Sequence, residues 1–364
     1  MGKAAVYTGH KKPFEIREYP VTEPAPGYAR LKIIASGVCG TDVHIHDGIL
    51  GGDNEQIIGH EFVGTIDAIS EADAARSGLA VGDAVIACIA SPCGGCALCA
   101  SGDSANCVNM GVTNAGDPAA APHFHGGYAE YNFNPVENLV KIPEGVDPYA
   151  AAVFACAGPT ALHALKLAKR ANIDVAKAKV AVVQGMGPVG MFTLLKLASL
   201  GIPCVATVSG RHVSSREALA REFGATDCFA LAETPAEELA GIFAQKNGGL
   251  GADLCVECSG NPAAFAQGLS FLRNRGVYLV PGQYSNSGGV PVSPEVITFK
   301  ALQILGSSQY DLDDIREYLD FLASDPKYCE LLKKTVSAYP VSKTNEAFAD
   351  IRAGKNIKTL LVAD

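Results

Sequence analysis

The chain has 364 residues, 48% hydrophobic and 18% charged, with a formal net charge of −9. That length exceeds one ordinary hydrophobic core and predicts two domains, while the acidic balance argues against a nucleic-acid surface, which needs clustered Lys and Arg. No apolar run reaches the roughly 18 residues of a membrane-spanning helix. The opening Met1-Gly2-Lys3-Ala4-Ala5-Val6 has neither the apolar segment of a signal peptide nor the Ser or Thr of a myristoylation motif, so the expected location is cytoplasmic. In that compartment the 12 cysteines read as metal ligands and core thiols rather than disulfides.

Residues 1–155 alternate short β-like runs, such as Leu31–Val38 and Gly82–Cys88, with Gly, Pro and Asp punctuation, which predicts a β-rich, barrel-like domain. In Cys39-Gly40-Thr41-Asp42-Val43-His44 a thiol is followed by a hydroxyl, a carboxylate and an imidazole; alone this reads as a turn ending a strand. The stretch Gly59-His60-Glu61-Phe62-Val63-Gly64 changes that reading. A His-Glu pair is ordinary on a surface, but His60 with Cys39 and the distant Cys156 supplies the three ligands of a catalytic zinc and leaves the fourth position open.

Cys93, Cys96, Cys99 and Cys107 follow at C-x₂-C-x₂-C-x₇-C in a lobe of about residues 92–108 that also holds Pro92, Gly94, Gly95 and Gly102. Four thiolates so close in sequence can close a tetrahedral zinc site with no open position, which makes it structural. Disulfides conflict with the compartment, and the usual iron–sulfur spacings differ. His123 and His125 read as part of a solvated loop, with a substrate-mouth role as the alternative.

From Lys179 the pattern changes. Val180-Ala181-Val182-Val183-Gln184 predicts a buried strand leading into Gly185-Met186-Gly187-Pro188-Val189-Gly190, after which Met191, Leu194, Leu195 and Ala198 recur at helical spacing. Strand, glycine turn and helix together predict a dinucleotide site, with the helix N-terminus offering amides to a pyrophosphate. Further strands at 205–208, 253–258 and 277–280 and a helix around 217–223 predict a parallel sheet. Cys255 and Cys258, three apart on a strand, point to opposite faces and read as packing thiols. The coenzyme domain is thus expected over 156–297, and residues 298–364, with an amphipathic stretch at Ile315, Leu319 and Leu322, return to the first domain. Where NAD-binding domains carry an acid after the second strand, this chain has Ser209, Gly210 and Arg211. A small hydroxyl with a neighbouring guanidinium has room and charge for a 2′-phosphate, which favours NADP over NAD; the alternative is NAD held through Ser209, with Arg211 in solvent.

Carried by these motifs over nearly its full length, the chain resembles the zinc-dependent medium-chain alcohol dehydrogenases, which join a GroES-like β-rich catalytic domain to a Rossmann doubly wound parallel-sheet coenzyme domain. The resemblance implies two zinc ions per chain, one on Cys39, His60 and Cys156 and one on Cys93, Cys96, Cys99 and Cys107. It further implies that Glu61 and Asp42 are carboxylates beside the catalytic zinc, that Thr41 and His44 relay the substrate proton, that Thr160 and Val189 flank the nicotinamide, and that Lys358 reaches the pyrophosphate. The implied substrate is a small alcohol or its aldehyde or ketone, the coenzyme NADP or NAD, and the assembly a homodimer or homotetramer. Ser70 and Asp73 depart from the family signature, so Glu71 to Leu79 are expected to form a longer exposed loop. Many polyol and threonine dehydrogenases carry an acid where Cys156 stands, which favours an alcohol-type zinc sphere, with Ile89 as a candidate apolar pocket wall. The alternatives are an NAD-dependent polyol, secondary or cyclic alcohol dehydrogenase and a non-catalytic structural relative; a zinc-free quinone or enoyl reductase would lack both cysteine sets.

Overall fold

The computed structural model describes residues 1–209 and 213–364, which form two compact units, Met1–Pro159 with Tyr310–Asp364, and Thr160–Gln309. Gly210 and Arg211 lie outside the described residues. No helix is long and apolar enough to cross a membrane among the described residues.

In the first unit, a seven-stranded sheet is built on the long strand Tyr28–Val38. Its first half alternates, with Ala29, Leu31 and Ile33 buried while Tyr28 and Lys32 face out, as expected of a strand with one face on a core. From Ala35 onward every residue is buried, because Lys358–Val362 pairs with this half while Tyr131–Pro135 pairs with the other. The opposite edge pairs with Glu61–Ile69, which in turn pairs with Ala84–Ala87. Leu31, Ile33, Phe62, Ile66 and Val85 form the core on one face, each contributing about 1.5–3 kcal/mol by burial. This register matters chemically. Gly37 stands opposite Glu61 and Val38 opposite Thr359, so Cys39, His60, Glu61 and Lys358 arrive at one end of the sheet.

The second unit is a six-stranded, wholly parallel sheet. Its order is Ala225–Ala230, Cys204–Val208, Ala181–Gln184, Ala252–Glu257, Leu272–Val280, Gln303–Gly306. The chain runs outward from Ala181–Gln184 in one direction and then resumes beside it with Ala252–Glu257, which is the strand-order reversal of the Rossmann fold. Val182, Val205, Leu239, Phe243, Leu269 and Tyr278 are buried between sheet and helices.

Two features differ from the sequence expectation. Residues 298–309 stay with the coenzyme unit, because Gln303–Gly306 adds a sixth parallel strand to its sheet before the return at Tyr310. The segment expected as an exposed loop forms the helix Glu71–Ser77. Ser70 Oγ caps it by accepting from the Asp73 amide at 3.1 Å, and the buried Asp73 carboxylate accepts from Gly27 N, Ser70 Oγ and Arg76 Nη2 at 2.9, 2.7 and 3.0 Å. Ile89, the candidate pocket wall, is half-buried and packs against the core of the strands, and its carbonyl accepts from Thr113 N.

Candidate metal centres and coenzyme crevice

Cys39 ends the long strand and is the N-cap of the helix Gly40–Asp47, while Cys156 lies between the buried helix Pro148–Val153 and the helix Ala157–Arg170. One ligand atom from each of Cys39, His60, Glu61 and Cys156 lies within 4.8 Å of the others. Asp42 organises two of them. Its Oδ2 accepts from Cys39 N at 2.9 Å and its Oδ1 stands 3.3 Å from His60 Nδ1, which turns the other ring nitrogen toward the thiols. Hydrogen bonding from Cys156, opposed by burial and aided by the charges of His60 and Lys358, holds the Cys39 thiol well below its ordinary range. Two cysteines, one of them held toward its thiolate, with an oriented imidazole form the donor set that zinc takes. Thr41 Oγ1 lies 3.7 Å from Cys39 Sγ, and His44 follows on the same short helix.

Lys358 stands beside Glu61 at this cluster. Its side chain is fully buried, its ammonium pairs with Glu61, and it also donates to Val38 O at 3.3 Å. Burial pushes the Glu61 carboxyl up, and Lys358 offsets part of that push. The charge of Lys358 is therefore absorbed beneath the metal ligands.

In the lobe, Cys93, Cys96, Cys99 and Cys107 also bring their sulfurs within 4.8 Å of one another. Cys96 Sγ lies 3.5 Å from Cys99 Sγ and 3.9 Å from Cys107 Sγ, far beyond a disulfide bond of about 2.05 Å. Sulfurs at the corners of a zinc tetrahedron with Zn–S of about 2.3 Å stand about 3.8 Å apart, so the spacing fits the ion. Backbone amides of Cys99 and Val108 draw the Cys96 thiol down to about 6, whereas desolvation and the neighbouring thiols of Cys96 and Cys107 push Cys99 up to about 12. Four such thiols ionise together when a cation is among them. No disulfide joins any of the twelve cysteines, all of which lie among the described residues. Cys255 Sγ donates to Gln184 Oε1 at 3.3 Å and Cys258 Sγ sits 3.7 Å from Thr193 Oγ1, so this pair has separate partners, as its spacing on a strand predicts. His123 stacks on Tyr19 with ring centroids 4.9 Å apart, and neither it nor His125 joins a metal-binding group among the described residues.

In the coenzyme unit, Gly187 is the N-cap and Pro188 the first residue of the helix Pro188–Ser199, with Val189 in its first turn. The glycines answer to contact. A side chain at Gly185, whose φ is +87°, would meet Ser259 Cα at 2.7 Å, and one at Gly190 would meet Gly185 O at 1.8 Å. Ser209 is exposed just past the strand Cys204–Val208. Thr160 lies on the helix Ala157–Arg170. One neighbour of the turn escapes sequence reading: Arg216 Nη1 donates to Met186 O at 2.7 Å, inside the glycine motif. An arginine in a polar helix carries no signal of such a contact; only the packing of Val213–Glu222 against the sheet creates it.

Residues 25–144 match the family described as alcohol dehydrogenase GroES-like domain, and residues 188–324 that described as zinc-binding dehydrogenase. The chain is 30% identical to 5-exo-hydroxycamphor dehydrogenase of Pseudomonas putida, covering 95% of each, and 30% identical to sorbitol dehydrogenase of Halalkalibacterium halodurans, covering 97% of this chain and 96% of that one. The crystal structure of an alcohol dehydrogenase from Thermotoga maritima superposes with a TM-score of 0.89 at 25% identity, covering 100% of this chain and 99% of the other. With two donor sets suited to zinc, a Rossmann coenzyme sheet and relatives matched from end to end, the chain belongs to the zinc-dependent medium-chain alcohol dehydrogenase family, oxidoreductases of alcohol–carbonyl pairs.

Proposed function

We propose that the chain interconverts a small alcohol and its carbonyl compound by hydride transfer to NADP, in preference to NAD. The observation that carries the reading is the cluster of Cys39, His60 and Cys156 with the Thr41 hydroxyl beside it. When bound, zinc supplies Lewis acidity and the nicotinamide accepts the hydride. The chain's own residues do the rest. Asp42 holds Cys39 and His60 in place, Thr41 takes the alcohol proton, and His44, three residues along the same helix, delivers it to solvent. The Lys358–Glu61 pair places a compensated carboxylate among the ligands without adding a full negative charge there.

The coenzyme preference rests on residues 209–211, where Ser209 follows the strand Cys204–Val208 and no acid follows in sequence to repel a 2′-phosphate. Arg211 is the proposed partner of that phosphate. Arg211→Ala should raise KM for NADP by about ten- to a hundredfold, the scale of a charged hydrogen bond, and barely change KM for NAD. An unmodified enzyme that prefers NAD, or a variant weakened equally toward both, overturns the preference. The substrate class is tested by coenzyme reduction with primary, secondary, cyclic and polyol alcohols. The likeness to a hydroxycamphor and a sorbitol dehydrogenase makes the cyclic secondary and polyol classes the first to try.

A further inference from the structure

Glu257 is a buried carboxyl that neither the metal chemistry nor the proton relay uses. It is 0% exposed, closes the strand Ala252–Glu257, and stands directly opposite Gln184, the last residue before the glycine turn. These are the two adjacent strands at which the sheet order reverses, and in an open parallel sheet the crevice outside their carboxyl ends is where a dinucleotide lies. One oxygen of Glu257 gathers the next loop: Oε1 accepts from Ser259 N at 2.7 Å, Ser259 Oγ at 2.5 Å and Gly260 N at 3.0 Å. Ser259 in turn is the residue against which Gly185 packs without a side chain. The following loop joins the same knot. Gly282 N donates to Glu257 O at 2.9 Å, Gln283 Nε2 donates to Asn261 O at 3.0 Å, and a side chain at Gly282 would come within 2.5 Å of Glu257 Oε2.

We propose that Glu257 is a positioning residue for the coenzyme: it holds the Ser259–Gly260 loop against the glycine turn and thereby sets the affinity for either dinucleotide. Two amides and a hydroxyl turned toward a buried carboxyl fix the loop's backbone; Ser259 is exposed and Gly260 half-buried, so without that acceptor the donors turn to water and the loop rearranges. The rearranged loop no longer presents the crevice wall that abuts Gly185. The effect is expected to be equal for NADP and NAD, because the knot lies at the turn and not at residues 209–211, where the two coenzymes differ.

This inference rests on the coenzyme reading of the second unit, and the test separates the two. Binding of NADPH and NADH to purified protein is titrated by nicotinamide fluorescence, alongside thermal unfolding. Glu257→Met keeps the length of the side chain and removes the acceptor; its Kd should rise about tenfold or more for both coenzymes. Glu257→Gln retains an acceptor oxygen and should restore most of the affinity, a rescue that a general loss of stability would not show. A Met variant that folds and binds both coenzymes as the unmodified protein does overturns the role of Glu257 alone. Unmodified protein that binds neither coenzyme overturns the coenzyme reading with it. Should the Met variant fail to fold, Ser259→Ala, which removes one of the three donors, decides: a severalfold rise in both Kd values supports the role, and unchanged values overturn it.

Discussion

Lys358 and Glu61, 297 residues apart in sequence, form an ion pair whose side chains are 0% and 2% exposed, with Glu61 in one cluster with Cys39, His60 and Cys156. A buried pair is weak evidence of net stabilisation, but removing one partner strands a charge in a medium that cannot solvate it. Lys358→Met should therefore cost about 3–5 kcal/mol of stability, and the double variant Lys358→Met with Glu61→Gln should recover much of it. Chemical denaturation of the single and double variants measures this. If Lys358→Met instead left stability intact and weakened coenzyme binding, the side chain would be serving the pyrophosphate, as the family resemblance implies.

The two cysteine clusters should fail differently. Cys99→Ser breaks a closed set of four thiols, and since a structural zinc contributes folding free energy directly, the variant should hold one fewer zinc and unfold at lower temperature. Cys39→Ser should abolish turnover. Zinc stoichiometry, melting temperature and turnover on both variants check the assignment, and full activity in the Cys39 variant would refute the catalytic site.

Along the helix Gly40–Asp47 the two relay residues should be unequal. Thr41→Val removes the hydroxyl beside Cys39 and should nearly eliminate alcohol oxidation. His44→Gln should be milder, because water can replace a terminal carrier, with the largest loss at low pH, where solvent accepts the proton least readily. Equal losses at every pH would show that the order of the relay is wrong.

Asp73 offers a test by acid. Hydrogen bonds from Gly27 N, then Ser70 and Arg76, hold its carboxyl down to about 2 from an ordinary value of 3.8. A carboxyl whose folded pKa is depressed stabilises the fold fully above its unfolded pKa and ceases to do so as pH falls through its folded one. Between about pH 4 and pH 2 the unmodified protein should thus lose stability more steeply than Asp73→Asn. Identical acid-unfolding slopes for the two proteins would show that the helix Glu71–Ser77 does not depend on the charge.

What could be read from the sequence was whatever local spacing encodes. The four lobe cysteines fall within fifteen residues, 93 to 107, so their sharing of one site is a matter of short loops. The strand, glycine turn and helix from Val180 to Ala198 form one continuous segment whose hydrophobic period changes within it. The Glu71 to Leu79 segment forms a helix and not the expected loop although it too is local, because a departure from a family pattern says nothing about the helix that Ser70 caps and Asp73 ties to Gly27. The limit of the coenzyme unit, the sixth strand Gln303–Gly306, the burial of Lys358 against Glu61, the contact of Arg216 with Met186 and the knot around Glu257 were settled by tertiary structure alone. Which charge is buried against which, and which donor meets which acceptor, depends on strand register and sheet order, and these are chosen by the burial of whole faces at once rather than by the residues adjacent in the chain.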